Sequence, residues 1–116
     1  MIPVSDGEHA AVALDHVADT AEAEAAEQRR LAGTARTAAK QARRFGRWSD
    51  LVAAGLPQVL LHGLTAGAAR LARAATGLRL AVMSGLAKEG FSHGQIGRYL
   101  AVSRQRVSSL LARRNR

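Results

Sequence analysis

The chain has 116 residues, enough for one modest hydrophobic core or for a small domain with an extended arm. It has only one Trp, one Tyr and two Phe, so a core must consist of Leu, Val, Ile and Ala, which favours helix packing over sheets. Because it has no cysteine, disulfides and thiolate metal sites are excluded. We therefore expect an all-α protein without a cofactor.

The net charge of +8 is the sum of two unlike regions. Residues 1–28 contain seven acidic residues and no Lys or Arg, whereas residues 29–116 contain 17 basic and two acidic residues, so their charges are −7 and +15. A chain of this kind has an anionic arm and a body that attracts polyanions such as DNA.

A long first helix is predicted from about Glu8 to Arg47, where Ala, Glu, Arg and Gln are common and proline is absent. Gly33 is its weak point and costs about 1 kcal/mol relative to alanine. The apolar seam is mostly alanine, so we expect this helix to need a partner for stability. The seam consists of Leu14, Val17, Ala21, Glu24 or Ala25, Gln28, Leu31, Ala35, Ala38, Ala42 and Phe45.

The charge order along this helix favours an antiparallel homodimer. Two copies that cross near Arg29 place Glu22 opposite Arg36, whereas a parallel pair places like charges together. We therefore predict that residues 1–47 form an antiparallel dimerisation arm. A monomeric charged helix and a hairpin bent at Gly33 remain as alternatives.

Residues 48–77 are predicted to form connecting helices. The run FGRWSDLVAAGL indicates a break at Gly46, after which Ser49 caps a short helix that ends at Gly55. The most apolar window, Leu51–Ala69, is interrupted by proline and is barely long enough to span a bilayer, so we expect no membrane segment.

The next helix has Pro57 in its first turn and is predicted to run to about Ala75, before Gly77. A further helix is predicted over Leu78–Glu89, ended by Gly90. The helix that contains Pro57 has an apolar face formed by Leu60, Leu61, Leu64, Ala68 and Leu71. The inward residues of the helix over Leu78–Glu89 are Leu78, Val82, Met83 and Leu86.

The stretch SHGQIGRYLAVSRQRVSSLLA, from Ser92 to Ala112, predicts two capped helices joined by a short turn. Ser92 and Gln95 have the S-x-x-Q spacing of a capping box. Ser103 can cap the second helix. Its inner face is predicted to contain Val107, Leu110 and Leu111, and we expect Tyr99 on the first helix to be partly buried.

This stretch resembles the bacterial helix-turn-helix family, in particular the form shared by sigma-factor promoter-reading domains and many small repressors. The resemblance covers about residues 78–113, and its spacing matches without an insertion or a deletion. Ala101 stands where the family most often has glycine, because the backbone there is left-handed. The resemblance is carried by Ile96, Gly97, Leu100, the turn Ala101-Val102-Ser103, Val107 and Leu110.

The resemblance implies that residues 78–116 are a DNA-binding domain with a basic tail, and that the helix at 103–113 enters the major groove of double-stranded DNA. Arginine can pair with guanine there and glutamine with adenine. The implied base-reading residues are Ser103, Arg104, Gln105, Arg106, Ser108 and Ser109. The implied phosphate contacts are Ser92, His93, Arg98, Arg113, Arg114 and Arg116.

The leading functional prediction is a sequence-specific DNA-binding protein of the bacterial cytoplasm, a nucleoid-associated transcriptional regulator that works as a homodimer. One alternative is a nucleoid-type or partition-type architectural protein with little sequence choice. Another is an interaction module whose acidic arm, from Glu8 to Glu27, binds a basic partner or covers the DNA-binding face. A polymerase or another protein also remains open as a partner.

No catalytic arrangement is predicted. The chain has no Ser/His/Asp set, no paired carboxylates in a pocket and no phosphate-binding loop. His9, His16 and His62 lack the spacing of metal ligands, so we expect neither an enzyme nor a metal site.

Overall fold

The computed structural model describes residues 6–114, apart from the side chains of Asp6 and Phe45. Within that range the protein is all-α, as predicted, and contains no strand. Arg116, one of the predicted phosphate contacts, lies outside the described residues. The helices are α1 (Asp6–Phe45), α2 (Trp48–Ala53), α3 (Leu56–Lys88), α4 (His93–Leu100) and α5 (Arg104–Arg114).

The chain divides into two compact units, and both long helices contribute residues to each of them. The first unit contains the described residues up to Ala18 and from Ala74 onward, and thus includes α4 and α5. The second unit is Asp19–Arg73, with the greater part of α1, all of α2 and the first half of α3.

The predicted break after the first helix is confirmed, because α1 ends at Phe45 and the Gly46 N–H donates to the Ala42 carbonyl at 2.7 Å. The predicted cap at Ser49 is wrong. Helix α2 already begins at Trp48, with Arg47 in extended conformation at the N-cap and no side-chain cap hydrogen bond. Because Ser49 lies inside the first turn of α2, its hydroxyl cannot act as the N-cap.

The predicted boundary at Gly77 is also wrong, since α3 continues from Leu56 to Lys88. A single glycine costs a helix about 1 kcal/mol, and the surrounding Ala, Leu and Arg residues favour helix strongly enough to outweigh that cost. Gly90 does end the helix. Its φ is +94°, and the Phe91 N–H donates to the Leu86 carbonyl at 3.1 Å, as in a Schellman motif.

In the second unit, α1 and α3 approach closely at two glycines of α3. A Cβ atom at Gly63 would lie 2.7 Å from Cδ2 of the buried Leu31. A Cβ atom at Gly67 would lie 2.7 Å from Oε2 of the buried Glu24. The small residues therefore let side chains of α1 lie directly on the backbone of α3, and part of the alanine-rich seam finds its partner within the same chain.

The predicted seam of α1 is buried only at some positions. Glu24, Leu31 and Ala38, seven residues apart, are buried, and Leu14 is 56% exposed. The predicted apolar face of α3 is largely uncovered, since Leu61 is 66% exposed.

The core of the first unit lies where α3, α4 and α5 meet. Met83, Ile96 and Val107 are fully buried there, together with Leu111. The prediction that Tyr99 is partly buried is wrong, because it is 69% exposed and only meets the edge of the partly buried Phe91 ring, with centroids 5.8 Å apart. The remaining side chains packed against the core are Leu86, Ala87, Leu100, Val102 and Leu110.

Candidate nucleic-acid interface

The segment from Ser92 to Arg114, called the α4–α5 corner below, begins with a complete capping box. The Ser92 Oγ accepts a hydrogen bond from the Gln95 N–H at 3.2 Å, and the Gln95 Oε1 accepts one from the Ser92 N–H at 2.9 Å. Two otherwise unsatisfied donors of the helix start are thus paired reciprocally. The predicted start of α4 is confirmed.

The turn between the two helices is left-handed, as the resemblance implies. Ala101 has φ 57° and ψ 40°, and among the described residues other than glycine it alone has positive φ. The Val102 N–H donates to the Gly97 carbonyl at 2.9 Å and so closes the turn. An L-residue pays roughly 1–2 kcal/mol for this conformation, which the packing of the corner must offset.

Gly97 is the point at which the second helix crosses the first. A Cβ atom there would lie 2.6 Å from the Val102 carbonyl oxygen and 3.4 Å from the Arg104 backbone nitrogen. Both of these are backbone atoms and cannot rotate away, so no larger residue fits without opening the corner. The small residue at Gly97 is therefore what allows the two helices to cross this closely.

Helix α5 begins at the predicted cap. The Ser103 Oγ accepts a hydrogen bond from the Arg106 N–H at 3.0 Å, and the Ser103 carbonyl accepts one from the Val107 N–H at 3.1 Å. Capping of this kind contributes about 1 kcal/mol. It also commits the Ser103 hydroxyl to the helix start.

A side-chain hydrogen bond joins the two helices. His93 Nδ1 and Ser108 Oγ are 2.7 Å apart, and both residues are partly buried. This bond fixes the first turn of α4 against the middle of α5. The Ser108 hydroxyl, predicted to read bases, therefore already has a partner within the protein, as does the His93 ring, predicted to meet phosphate.

The side chains of α5 divide into an inner and an outer face. Val107 and Leu111 are buried. Gln105 and Ser109 lie two positions either side of Val107, about 200° round the helix, and both are exposed. Arg106 is exposed beside them, and Arg104 is exposed at the first residue of the helix.

The corner is strongly cationic. Between Ser92 and Arg114 the chain contains five arginines and no acidic residue. Every one of these arginines is exposed, so their charges face solvent from the same pair of short helices. They are Arg98, Arg104, Arg106, Arg113 and Arg114.

The contact between His93 and Ser108 was not predicted. Its signal lies in the helical spacing, because His93 is three residues before Ile96 and Ser108 directly follows Val107, so both border the inner faces. Pairing them requires the crossing angle of the two helices, which spacing within one helix does not supply.

Two ion pairs in the second unit involve residues of the acidic arm. Arg30 donates to Glu27 at 3.0 and 2.5 Å, and this hydrogen bond lowers the pKa of Glu27 and raises the pKa of Arg30. Arg70 donates to the buried Glu24, which raises the pKa of Arg70. Two of the arm's carboxylates are thus paired inside the chain.

Comparison of the chain with family models, with curated proteins and with solved structures gave no match. Over residues 6–114, no group of three or more His, Asp or Glu side chains is arranged to hold a metal ion. None of the helices in that range combines the length and the apolar character needed to cross a membrane.

Proposed function

We propose that the protein binds double-stranded DNA sequence-specifically with the α4–α5 corner and regulates transcription on the bacterial nucleoid. The observation that carries this proposal is the outer face of α5, where Gln105 and Ser109 are exposed between arginines, on a helix fixed against α4. A helix of 11 residues is about 16 Å long, and the major groove is wide enough to admit it.

Within this proposal Arg104, Gln105, Arg106 and Ser109 read the bases. The guanidinium of Arg104 or Arg106 can form paired hydrogen bonds with guanine, and the amide of Gln105 can do so with adenine. Ser103 and Ser108 act through their hydrogen bonds to Arg106 and His93, so they position the reading helix.

The remaining arginines of the corner contact phosphate and supply affinity without sequence information. Arg98 is exposed on α4, and Arg113 and Arg114 are exposed at the end of α5. Each cation that neutralises a phosphate releases counterions, so we expect binding to weaken steeply as salt rises.

The test begins with selection of preferred sequences from a random DNA pool by the purified protein. Arg104→Ala and Gln105→Ala should each lose about 1–3 kcal/mol of discrimination at one base position. Arg113→Ala is the matched control and should weaken binding to all sequences alike, lowering the slope of affinity against salt by about one. Unchanged sequence preference in both reading variants would contradict the proposal.

An architectural DNA-binding protein is a second candidate, favoured by the five exposed arginines without an acidic neighbour. The ratio of affinities for selected and random DNA at near-physiological salt separates the two. A sequence-specific regulator should give a ratio of roughly 10³ or more, and an architectural protein a ratio close to one.

The acidic arm supports a further candidate, a module that binds a basic partner or covers the DNA-binding face. Asp19 and Glu22 on α1 are exposed, in contrast to the buried Glu24. Replacing both with Asn and Gln keeps the helix and removes two charges. Tighter DNA binding by that variant would favour an autoinhibitory arm.

A homodimer is part of the proposal, because one module of this size binds DNA weakly. The predicted pairing surface on α1 is partly occupied. Leu31 and Glu24 lie against Gly63 and Gly67 of α3 in the same chain. Helix α1 therefore has less free apolar surface to bind a second copy than the predicted dimerisation arm would offer.

A further inference from the structure

Helix α3 has a row of uncovered apolar side chains within the second unit. Leu61, Leu64 and Leu71 are 66%, 48% and 43% exposed, and Ala68 and Ala72 are exposed beside them. Spacings of three and four residues place these side chains on one face of the helix. We call this face, from Leu60 to Ala72, the α3 stripe. A contiguous row of exposed leucines is typical of a protein contact surface.

The α3 stripe is not the side of α3 that contacts α1. Gly63, Gly67 and Arg70 meet α1, and the stripe residues Leu64, Ala68 and Leu71 each follow one of them by one position. One position is about 100° round the helix, so the stripe lies beside the α1 contact and is left open.

The stripe is uncharged. Between Leu60 and Ala72 the one Lys, Arg, Asp or Glu residue is Arg70, whose guanidinium is bound to Glu24 on α1. Two identical stripes can therefore meet without placing like charges together. An acidic or basic partner would gain no electrostatic attraction from this face.

We propose that the α3 stripe binds the same stripe of a second copy, antiparallel about a two-fold axis. A single antiparallel alignment of the two α3 helices gives the residues of the row partners on the second copy. In it Leu64 faces the second copy's Ala68, Leu60 faces its Ala72, and Leu61 faces its Leu71. Large side chains then oppose small ones in two of the three pairs, which is the alternation that closely packed helices need.

A second copy is also the occupant that DNA binding requires, and to this extent the proposal rests on the proposed function. A two-fold dimer presents two α4–α5 corners and so favours a palindromic operator. The self-matching row of leucines and alanines is independent of DNA and would pair in its absence.

The experiment measures the mass of the full chain in solution by sedimentation or light scattering. We expect twice the chain mass of 12.2 kDa for the wild type at micromolar concentration. Leu64→Glu and Leu61→Glu should each weaken the dimer at least 100-fold, because they bring a charge into an apolar contact. Leu14→Glu is the matched control, since Leu14 is 56% exposed on α1 in the first unit, and it should remain a dimer.

Cysteine pairing tests the register directly, because the chain has no cysteine of its own. A mixture of Leu64→Cys and Ala68→Cys proteins should form a disulfide-linked heterodimer on oxidation. Either variant alone should not form a disulfide-linked dimer. In this register each cysteine is displaced from the same cysteine of the second copy by four residues, about 6 Å along the helix axis. Together with the separation of the two helices, this displacement makes the distance between the two cysteines too long for a disulfide.

A monomeric wild type, or a dimer that survives both Leu64→Glu and Leu61→Glu, would overturn this inference. The second result would mean that the dimer is held elsewhere, as on α1. Circular dichroism checks that the variants stay helical, and the cysteine mixture decides the matter if they do not. A dimer that fails to bind DNA contradicts only the proposed function, whereas a DNA-binding monomer contradicts the α3 stripe and the proposed homodimer but not base reading by the α4–α5 corner.

Discussion

The chain has few aromatic side chains, and the α4–α5 corner and the second unit pack their helices without them in different ways. The corner has both helix starts capped by side chains and a closed left-handed turn, and its fully buried Ile96 and Val107 pack with Met83 of α3. The second unit joins α1 to α3 through glycines and one buried carboxylate, and leaves three leucines of α3 exposed.

This difference indicates which part is complete in one chain. The apolar residues of the corner find their partners within the first unit, and its arginines face outward. The second unit buries Leu31, Ala38 and Leu51 but leaves three leucines of α3 exposed, so we expect it to gain more from a second copy. Five predictions sharpen the comparison, in order of decreasing effect.

The largest effect is expected at the fully buried Ile96. Ile96→Ala leaves a cavity among well-packed neighbours and should reduce the free energy of unfolding by about 2–5 kcal/mol, measured by urea titration. Val52→Ala, at a 49% exposed position of α2 in the second unit, is the control and should cost little. Equal losses at both positions would mean that the corner is not the better packed region.

The next effect concerns the crossing point. Gly97→Ala places a Cβ atom against the Val102 carbonyl and should destabilise the protein by about 1–3 kcal/mol. Gly77→Ala, also within a helix but with open space around its Cβ position, should instead stabilise it by up to about 1 kcal/mol. Opposite signs in thermal unfolding would support the close crossing, and a stabilising Gly97→Ala would contradict it.

The turn residue should respond to glycine with a gain. Ala101→Gly relieves the left-handed strain at φ 57° and should stabilise the protein by about 0.5–1 kcal/mol after the entropy of glycine is counted. Ala69→Gly, at an exposed position inside α3, should cost about the same amount. A loss at Ala101 would show that the turn is not strained in solution.

The smallest effects should come from the ion pairs, because the arginine of each pair is exposed and its charge is screened by solvent. Arg70→Ala leaves the buried Glu24 carboxylate without its hydrogen-bond donor, whereas Arg30→Ala breaks a pair between exposed positions of one helix. The melting temperature should therefore fall more for Arg70→Ala. An equal or larger fall for Arg30→Ala would argue against a buried role for Glu24.

Acidification should weaken the Glu27–Arg30 pair. Because the hydrogen bond from Arg30 lowers the pKa of Glu27 below 4.5 in the folded state, the stabilisation is present above pH 4.5 and is lost as the pH falls through the lowered value. Glu27→Gln should make the melting temperature less dependent on pH in this range. An unchanged pH profile would show that the pair contributes nothing in solution.

Local signals allowed the corner to be predicted from the sequence. The capping box at Ser92 and the cap at Ser103 are each decided by neighbours within a few residues, and each is found as predicted. Ala101 has the left-handed conformation that the helix-turn-helix resemblance implies. The contact between His93 and Ser108 depends on the helix crossing and could not be read from spacing within a helix.

The second unit was harder to predict for the same reason. Gly77 looked like a helix end but lies within α3, because the helix propensity of the surrounding Ala, Leu and Arg residues outweighs its cost. Gly63 and Gly67 lie against Leu31 and Glu24, which are more than 30 residues away along the chain. Long-range pairing of this kind is not encoded in helical periodicity.

The most direct test of the central claim is DNA sequence selection by the wild type and by Gln105→Ala. The wild-type protein should enrich a defined motif, and Gln105→Ala should lose preference at one base position while keeping its dependence on salt. An identical motif from both proteins would contradict base reading by Gln105, and no motif from the wild type would contradict the reading of bases by α5.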